Sequence, residues 1–343
     1  MKKVLATILA LVMALSVTTM AWADDVAKIG NTGYATLKEA IEHVANGETI
    51  VLTANVNNGD GIVVASGKNF TLDFAGHTYT ITQNVVGSTG TESQCFQLLK
   101  DSTITMKDGT IVANCAGAKM IIQNYCNLTL DNMILNATAG DNNVGYVVSN
   151  NCGNVVIKNG TTITAKTTGV AFDVYGGFGD YGDVSVKLEA GATVNGKVEV
   201  ARGSGNQNKN TLTVTGGTVN GDLAVTPSEK TEVAVTGGTF SSDVSAYAAG
   251  NTPVASNNGT YYVGETTIQN AANNLSAGQQ LKIEKGTVAI NGAEYSAGGN
   301  ATYTKPSSGG YYYYPSTSDT TTSTTTKGSP KTFDAGIALY VGM

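Results

Sequence analysis

The sequence predicts an all-β fold: a right-handed parallel β-helix with a short capping helix at the N-terminus and a disordered C-terminal stalk. Three observations carry this. Two copies of one unit, Thr213-Val-Thr-Gly-Gly-Thr-Val219 and Ala234-Val-Thr-Gly-Gly-Thr-Phe240, stand 21 residues apart. An alternating strand, a Gly-Gly corner and a second strand, repeated at that period, read as rungs that stack on one another. Upstream, short strands broken by Gly, Asn and Asp fall at 70–74, 79–82, 103–106, 110–113, 128–130, 134–136, 155–158, 162–165, 184–188, 198–200 and 211–214. Equivalent points recur every 20 to 32 residues or so, an irregularity that insertions at one corner of a rung absorb. Forty-two glycines against five prolines, with many Thr, Asn and Val, suit close turns and strands rather than helices. Parallel pairing with right-handed crossovers is the rule, which sets the expected hand. A β-sandwich is the competing architecture, but it favours hairpin signals, and here the Gly-Gly corners lie inside the repeat. With rungs about 4.8 Å apart, seven to nine coils would make a rod roughly 35 to 45 Å long.

Residues 1–23 have the physics of an export signal: Lys2 and Lys3, an apolar run over 4–17, and Ala21-Trp22-Ala23 with small residues at the first and third positions. The apolar run is short for a spanning helix, so no stable membrane span is expected in the mature chain. Residues 24–58 form the N-terminal cap. Thr36 with Glu39 makes a capping box, Leu37, Ala40, Ile41, Val44 and Ala45 share one helical face, and Gly47 stands where a helix stops. This predicts a helix over 37–46 and a strand over 49–56, the helix covering the open end of the stack.

Residues 59–250 are the predicted β-helix. Cys126 and Cys152 sit at equivalent corners after Gln123-Asn124 and Ser149-Asn150, where stacked Asn side chains form hydrogen-bonded ladders. Residues 251–305 change character. At a constant offset of 231, Thr267, Ile268, Ala271, Leu275, Gly278, Leu281 and Ile283 fall on Thr36, Leu37, Ala40, Val44, Gly47, Ile50 and Leu52. A second helix-then-strand unit is expected over 267–284, either capping the far end or starting a short second module. Residues 306–343 are rich in Ser, Thr and Tyr and cannot bury enough apolar surface to fold, which makes them a stalk.

Composition excludes some function classes. Charged residues make up 13% of the chain, the net charge is −6 and Arg202 is the only arginine, so no electrostatic footprint for nucleic acid exists. Cys95, Cys115, Cys126 and Cys152 include no CxxC pair and no neighbouring His, and read as small core residues rather than a zinc site or a disulfide framework. No cofactor is expected beyond weak Ca²⁺ binding. The chain is expected to act as a monomer.

Three segments resemble parts of the cell-surface β-helix proteins of Gram-positive gut bacteria, which have a pectin-lyase-like fold: AKIGNTGYATLKEAIEHVANGETIVLTANV over 27–56, LDFAGHTYTI over 72–81 and GGTFSSDVSAYAAGN over 237–251. The resemblance covers most of residues 27–265. Ser329-Pro330-Lys331-Thr332 followed by Asp334 resembles a variant sortase sorting motif, with Phe333 where that variant carries glycine. The apolar span and basic tail of a complete signal do not follow, so wall attachment and release to the medium are alternative expectations. The resemblance implies an extracellular protein, secreted or cell-wall associated, whose partner is a host or bacterial surface glycan or protein.

The pectin-lyase-like fold also hosts lyases and hydrolases. A lyase needs a base beside carboxylate-held Ca²⁺, and a glycosidase needs two carboxyls at set separation. Asp180 and Asp183 in Gly-Gly-Phe-Gly-Asp-Tyr-Gly-Asp are the local carboxyl candidates. Tyr175, Phe178 and Tyr181 stand near them to stack on sugar rings, and Arg202 is the candidate cation. The plainer reading makes this stretch a solvated loop with Asp chosen for turns. The leading expectation is a non-enzymatic adhesin or interaction module that binds carbohydrate through these six residues. A polysaccharide lyase or glycoside hydrolase is the alternative.

Overall fold

Apolar and polar residues alternate along most strands, and the apolar set turns to a shared core while the polar set faces out. A computed structural model describes residues 25–203, 205 and 207–307; the expected export signal, nearly all of the stalk and the sorting-like motif Ser329, Pro330, Lys331 and Thr332 lie outside them. The described chain is mostly β-strand, with long parallel sheets and few helices.

Three parallel ladders account for most strands. The first runs Thr49–Leu52, Asn69–Asp73, the front of Thr103–Ala113, the front of Asn127–Asn136, Gly153–Ile157, Val184–Leu188, the front of Asn210–Asn220 and the front of Thr231–Phe240. The second runs Val56–Gly59, Thr78–Ile81, the rear halves of the long strands, Thr162–Thr164 and Thr193–Asn195. The third is a seven-stranded sheet: Ile62–Val64, Gln94–Leu98, Met120–Asn124, Tyr146–Asn150, Val170–Val174, Lys197–Val200 and Leu223–Val225. In chain order the strands visit the first, second and third ladders and return to the first.

Register makes the core columnar. Ile50, Leu72, Met106, Leu130, Ile157, Leu188, Val214 and Val235 pair in succession along the first ladder, and all are buried. Phe96, Ile122, Val148, Phe172 and Val198 do the same along the third. Each such side chain contributes about 1.5–3 kcal/mol of burial. Two pairings around one turn exceed the expected spacing: Asn69 with Thr103 in the first ladder and Ile62 with Phe96 in the third, each 34 residues on. The extra chain is an excursion between the second and third ladders, closed by an antiparallel bridge from Val86 to Gln94.

Helix α1, Leu37–His43, starts on the expected cap, the Glu39 N–H donating to Thr36 Oγ1 at 3.1 Å, and buries Leu37, Ala40 and Ile41. It is shorter than 37–46 because Val44 takes an extended conformation and packs into the core. A hairpin not anticipated from sequence, Ala27–Ile29 with Thr32–Tyr34, precedes it and pairs antiparallel with Thr49–Leu52. The first edge is therefore closed by strand pairing as well as by the helix.

The far end repeats this plan. A hairpin, Val254–Asn257 with Thr260–Val263, pairs antiparallel with Thr231–Phe240; helix α2, Glu265–Asn274, follows; Gln280–Lys285 then pairs back onto the hairpin. The unit both closes the end and forms a module with its own core of Ala255, Ile268, Ala272, Leu281, Ile283 and Tyr303. Among the described residues, no helix is long and apolar enough to cross a membrane. All four cysteines are free thiols; Cys95, Cys126 and Cys152 are buried and Cys115 is half-buried.

Candidate functional site

Along the third ladder, between core positions, runs a polar row in register: Gln97, Gln123, Ser149, Asp173 and Glu199. Most of this row is shut off from solvent, with Gln97, Ser149 and Asp173 buried. Beside it, Asn124 Nδ2 donates to Asn150 Oδ1 at 3.3 Å and Asn150 Nδ2 donates to the Asp173 carbonyl at 2.9 Å, so an Asn ladder occupies the expected corner.

Asp173 is the electrostatic centre. Its carboxylate accepts the Asn150 N–H at 2.7 Å and Ser149 Oγ–H at 3.3 Å, and Arg202 Nε lies 3.2 Å from Oδ2. That Nε–H makes ion-pair distance without being aimed along a hydrogen bond. Complete burial raises the carboxyl most; Arg202, the Asn150 N–H and Ser149 pull it down, Glu199 adds to the rise, and it is pushed up to about 7. The Arg202 guanidinium stacks on the rings of Tyr175, 4.4 Å away, and Tyr146, 4.9 Å away. Tyr146 donates its hydroxyl to Glu199 Oε2 at 3.0 Å, and Lys197 Nζ pairs with Glu199 Oε1 at 3.1 Å.

The loop after Val170–Val174 carries an aromatic cluster. Tyr125 from the neighbouring corner meets Tyr181 at 4.8 Å and Phe178 at 6.1 Å, Phe178 meets Tyr181 at 6.0 Å, and Tyr175 meets Phe178 at 5.9 Å. Burial pushes the Tyr125 hydroxyl up to about 12. Phe178 and Tyr181 stay 41% and 38% exposed, two of only four large apolar side chains so exposed among the described residues. Local chemistry fixes the loop: a Cβ on Gly177 would lie 2.0 Å from Tyr175 Cζ, so the ring needs a glycine there. Cys152 Sγ donates to the Tyr181 carbonyl at 2.6 Å, Asn208 Nδ2 to the Phe178 carbonyl at 2.8 Å, and Lys100 Nζ to the Asp180 carbonyl at 2.9 Å.

Of the six residues singled out by sequence, Tyr175, Phe178 and Tyr181 come together and Arg202 joins them through Tyr175. The two aspartates do not complete a carboxyl pair with Arg202. Asp180 is exposed and is fixed through its backbone carbonyl, while Asp183 Oδ1 accepts the Lys209 N–H at 2.9 Å, a turn role. Arg202 takes Asp173 instead. Sequence reasoning missed Asp173, Glu199, Tyr146, Tyr125 and Lys100. The signal for Asp173 was a lone acid inside the apolar run Ala171-Phe-Asp-Val174. Among the described residues, no group of three or more His, Cys, Asp and Glu side chains is arranged to hold a metal ion. Searches against protein-family models, curated proteins and solved structures each find no match for this chain.

Proposed function

We propose that the chain is an exported, surface-associated or secreted right-handed parallel β-helix that binds carbohydrate as a non-enzymatic adhesin. The observation that carries this is the exposed pair Phe178 and Tyr181 on a loop fixed by Cys152, Asn208 and Lys100. Pre-set aromatic faces stack on the apolar faces of sugar rings at little conformational cost, and they are costly to leave in water without a partner. The stacked ladders hold the loop on a rigid base. Export rests on the signal-like residues 1–23 and wall association on the sorting-like residues Ser329 to Thr332.

A glycan array at micromolar protein tests this. Binding is expected to fall about tenfold or more for Tyr181→Ala and Phe178→Ala, the loss of one hot-spot aromatic. A blank array for the wild type would reject the reading.

One observation favours a second reading, a glycoside hydrolase or polysaccharide lyase: Asp173 and Glu199 are paired on adjacent strands, with Asp173 protonating near neutrality. Complete burial of Asp173 counts against it, since a catalytic acid must reach the leaving oxygen. Incubation with acidic and neutral polysaccharides, with and without Ca²⁺, decides: new reducing ends or unsaturated products establish the enzyme and refute the adhesin.

A further inference from the structure

Arg202 is built into the side of the aromatic cluster rather than left on the surface. Two rings contact its guanidinium, Tyr175 at 4.4 Å and Tyr146 at 4.9 Å, Nη1 donates to the Tyr146 hydroxyl at 3.4 Å, and Asp173 pairs with Nε. Such packing removes most of the rotamer freedom that an arginine ordinarily loses on binding. The side chain nevertheless remains 37% exposed. From Arg202 the path to the exposed cluster runs through one ring, 4.4 Å to Tyr175 and 5.9 Å from Tyr175 to Phe178, short enough for one ligand to touch both.

We infer that Arg202 is an anion subsite beside the aromatic face, so that the favoured ligand is a sugar bearing a carboxylate or a sulfate. This rests on the carbohydrate reading above and narrows it to acidic glycans. A guanidinium offers a planar donor fork that matches these groups. The surrounding charges permit it. Glu199, the other acid at the site, is already paired with Lys197 and hydrogen-bonded by Tyr146. Asp173 is wholly buried, and its carboxyl, displaced to about 7, is only partly ionised at neutral pH and so only partly offsets Arg202. On the far side of the cluster, Lys100 Nζ sits 5.9 Å from the Tyr181 ring centre and adds a second cation.

The test is an array of matched glycans that share one core and differ only in being neutral, sialylated or sulfated, probed with the wild type, Arg202→Gln and Tyr181→Ala. The wild type is expected to bind charged members about tenfold more tightly than neutral ones, a charge-assisted hydrogen bond's worth. That advantage should shrink as salt rises. Arg202→Gln should lose most of the preference for charged over neutral members, while a near-native urea unfolding transition shows that the protein still folds. Preference for the sialylated or the sulfated members identifies which anion the site takes. Equal wild-type binding to neutral and charged glycans, or a charge preference that survives Arg202→Gln, overturns the inference and leaves sugar binding standing. Failure of the wild type to bind any glycan removes both readings together.

Discussion

Asp173 has lost all contact with water, and its neighbours replace only part of what hydration supplied. Its carboxyl sits near 7 against an ordinary value of 3.8, so the native state holds this proton more tightly than the unfolded chain does. The contribution is complete below the unfolded value and is lost as pH rises through the folded one, between about 4 and 7. The unfolding free energy read from urea titrations should therefore fall across that window by on the order of 4 kcal/mol, and Asp173→Asn should flatten the slope. A wild-type profile with the same slope as Asp173→Asn would contradict the assignment. The thiol of Cys126, 2% exposed, is pushed up to about 12 by burial, so iodoacetamide at neutral pH should leave it unmodified in the native protein and alkylate it in urea, as read by mass spectrometry. The aromatic half of this site was legible because Tyr175, Phe178 and Tyr181 crowd one glycine-rich loop. Asp173 was not, because pairing it with Arg202 needs two strands brought side by side, which nothing in the local sequence encodes.

At the scale of elements, the Gly-Gly corners are the clearest link from sequence to form. Gly217 and Gly238 have φ of +87° and +117°, and a Cβ on Gly238 would meet the Gly217 carbonyl oxygen at 2.9 Å. Both the left-handed backbone and the closeness of the next strand demand glycine. Gly238→Ala should cost about 1–3 kcal/mol by thermal or urea unfolding. A loss below the error of that measurement would mean the corner relaxes freely. Phe172→Ala, which empties a fully buried position in the third ladder, should cost about 3–5 kcal/mol and lower the urea midpoint accordingly. The strand positions were readable because their alternation repeats with the fold's own period. The hairpins were harder. Asn258-Gly259, with φ of +47° and +80°, is the local signature of a tight two-residue turn, but it stands in a stretch where neither flanking strand alternates cleanly. The N-terminal hairpin turns on Gly30-Asn31, three residues to a strand, too short for periodicity to register.

Across the whole described chain, the two ends share one arrangement of hairpin, helix and strand, and between them three parallel ladders repeat without a break. The offset of 231 residues between the end units was visible in sequence, yet its meaning was not: only pairing shows that the second copy closes the last strands while keeping a separate core. This layout gathers irregular chain at the corners, and one such corner loop, 175–183, carries Phe178 and Tyr181. The most direct measurement is a crystal structure of the protein with the strongest-binding array glycan. A sugar ring is expected to stack on Phe178 or Tyr181, on a right-handed stack, with an acidic substituent within hydrogen-bond reach of Arg202. A glycan seated elsewhere, with the Phe178 and Tyr181 rings still facing solvent, would contradict that expectation.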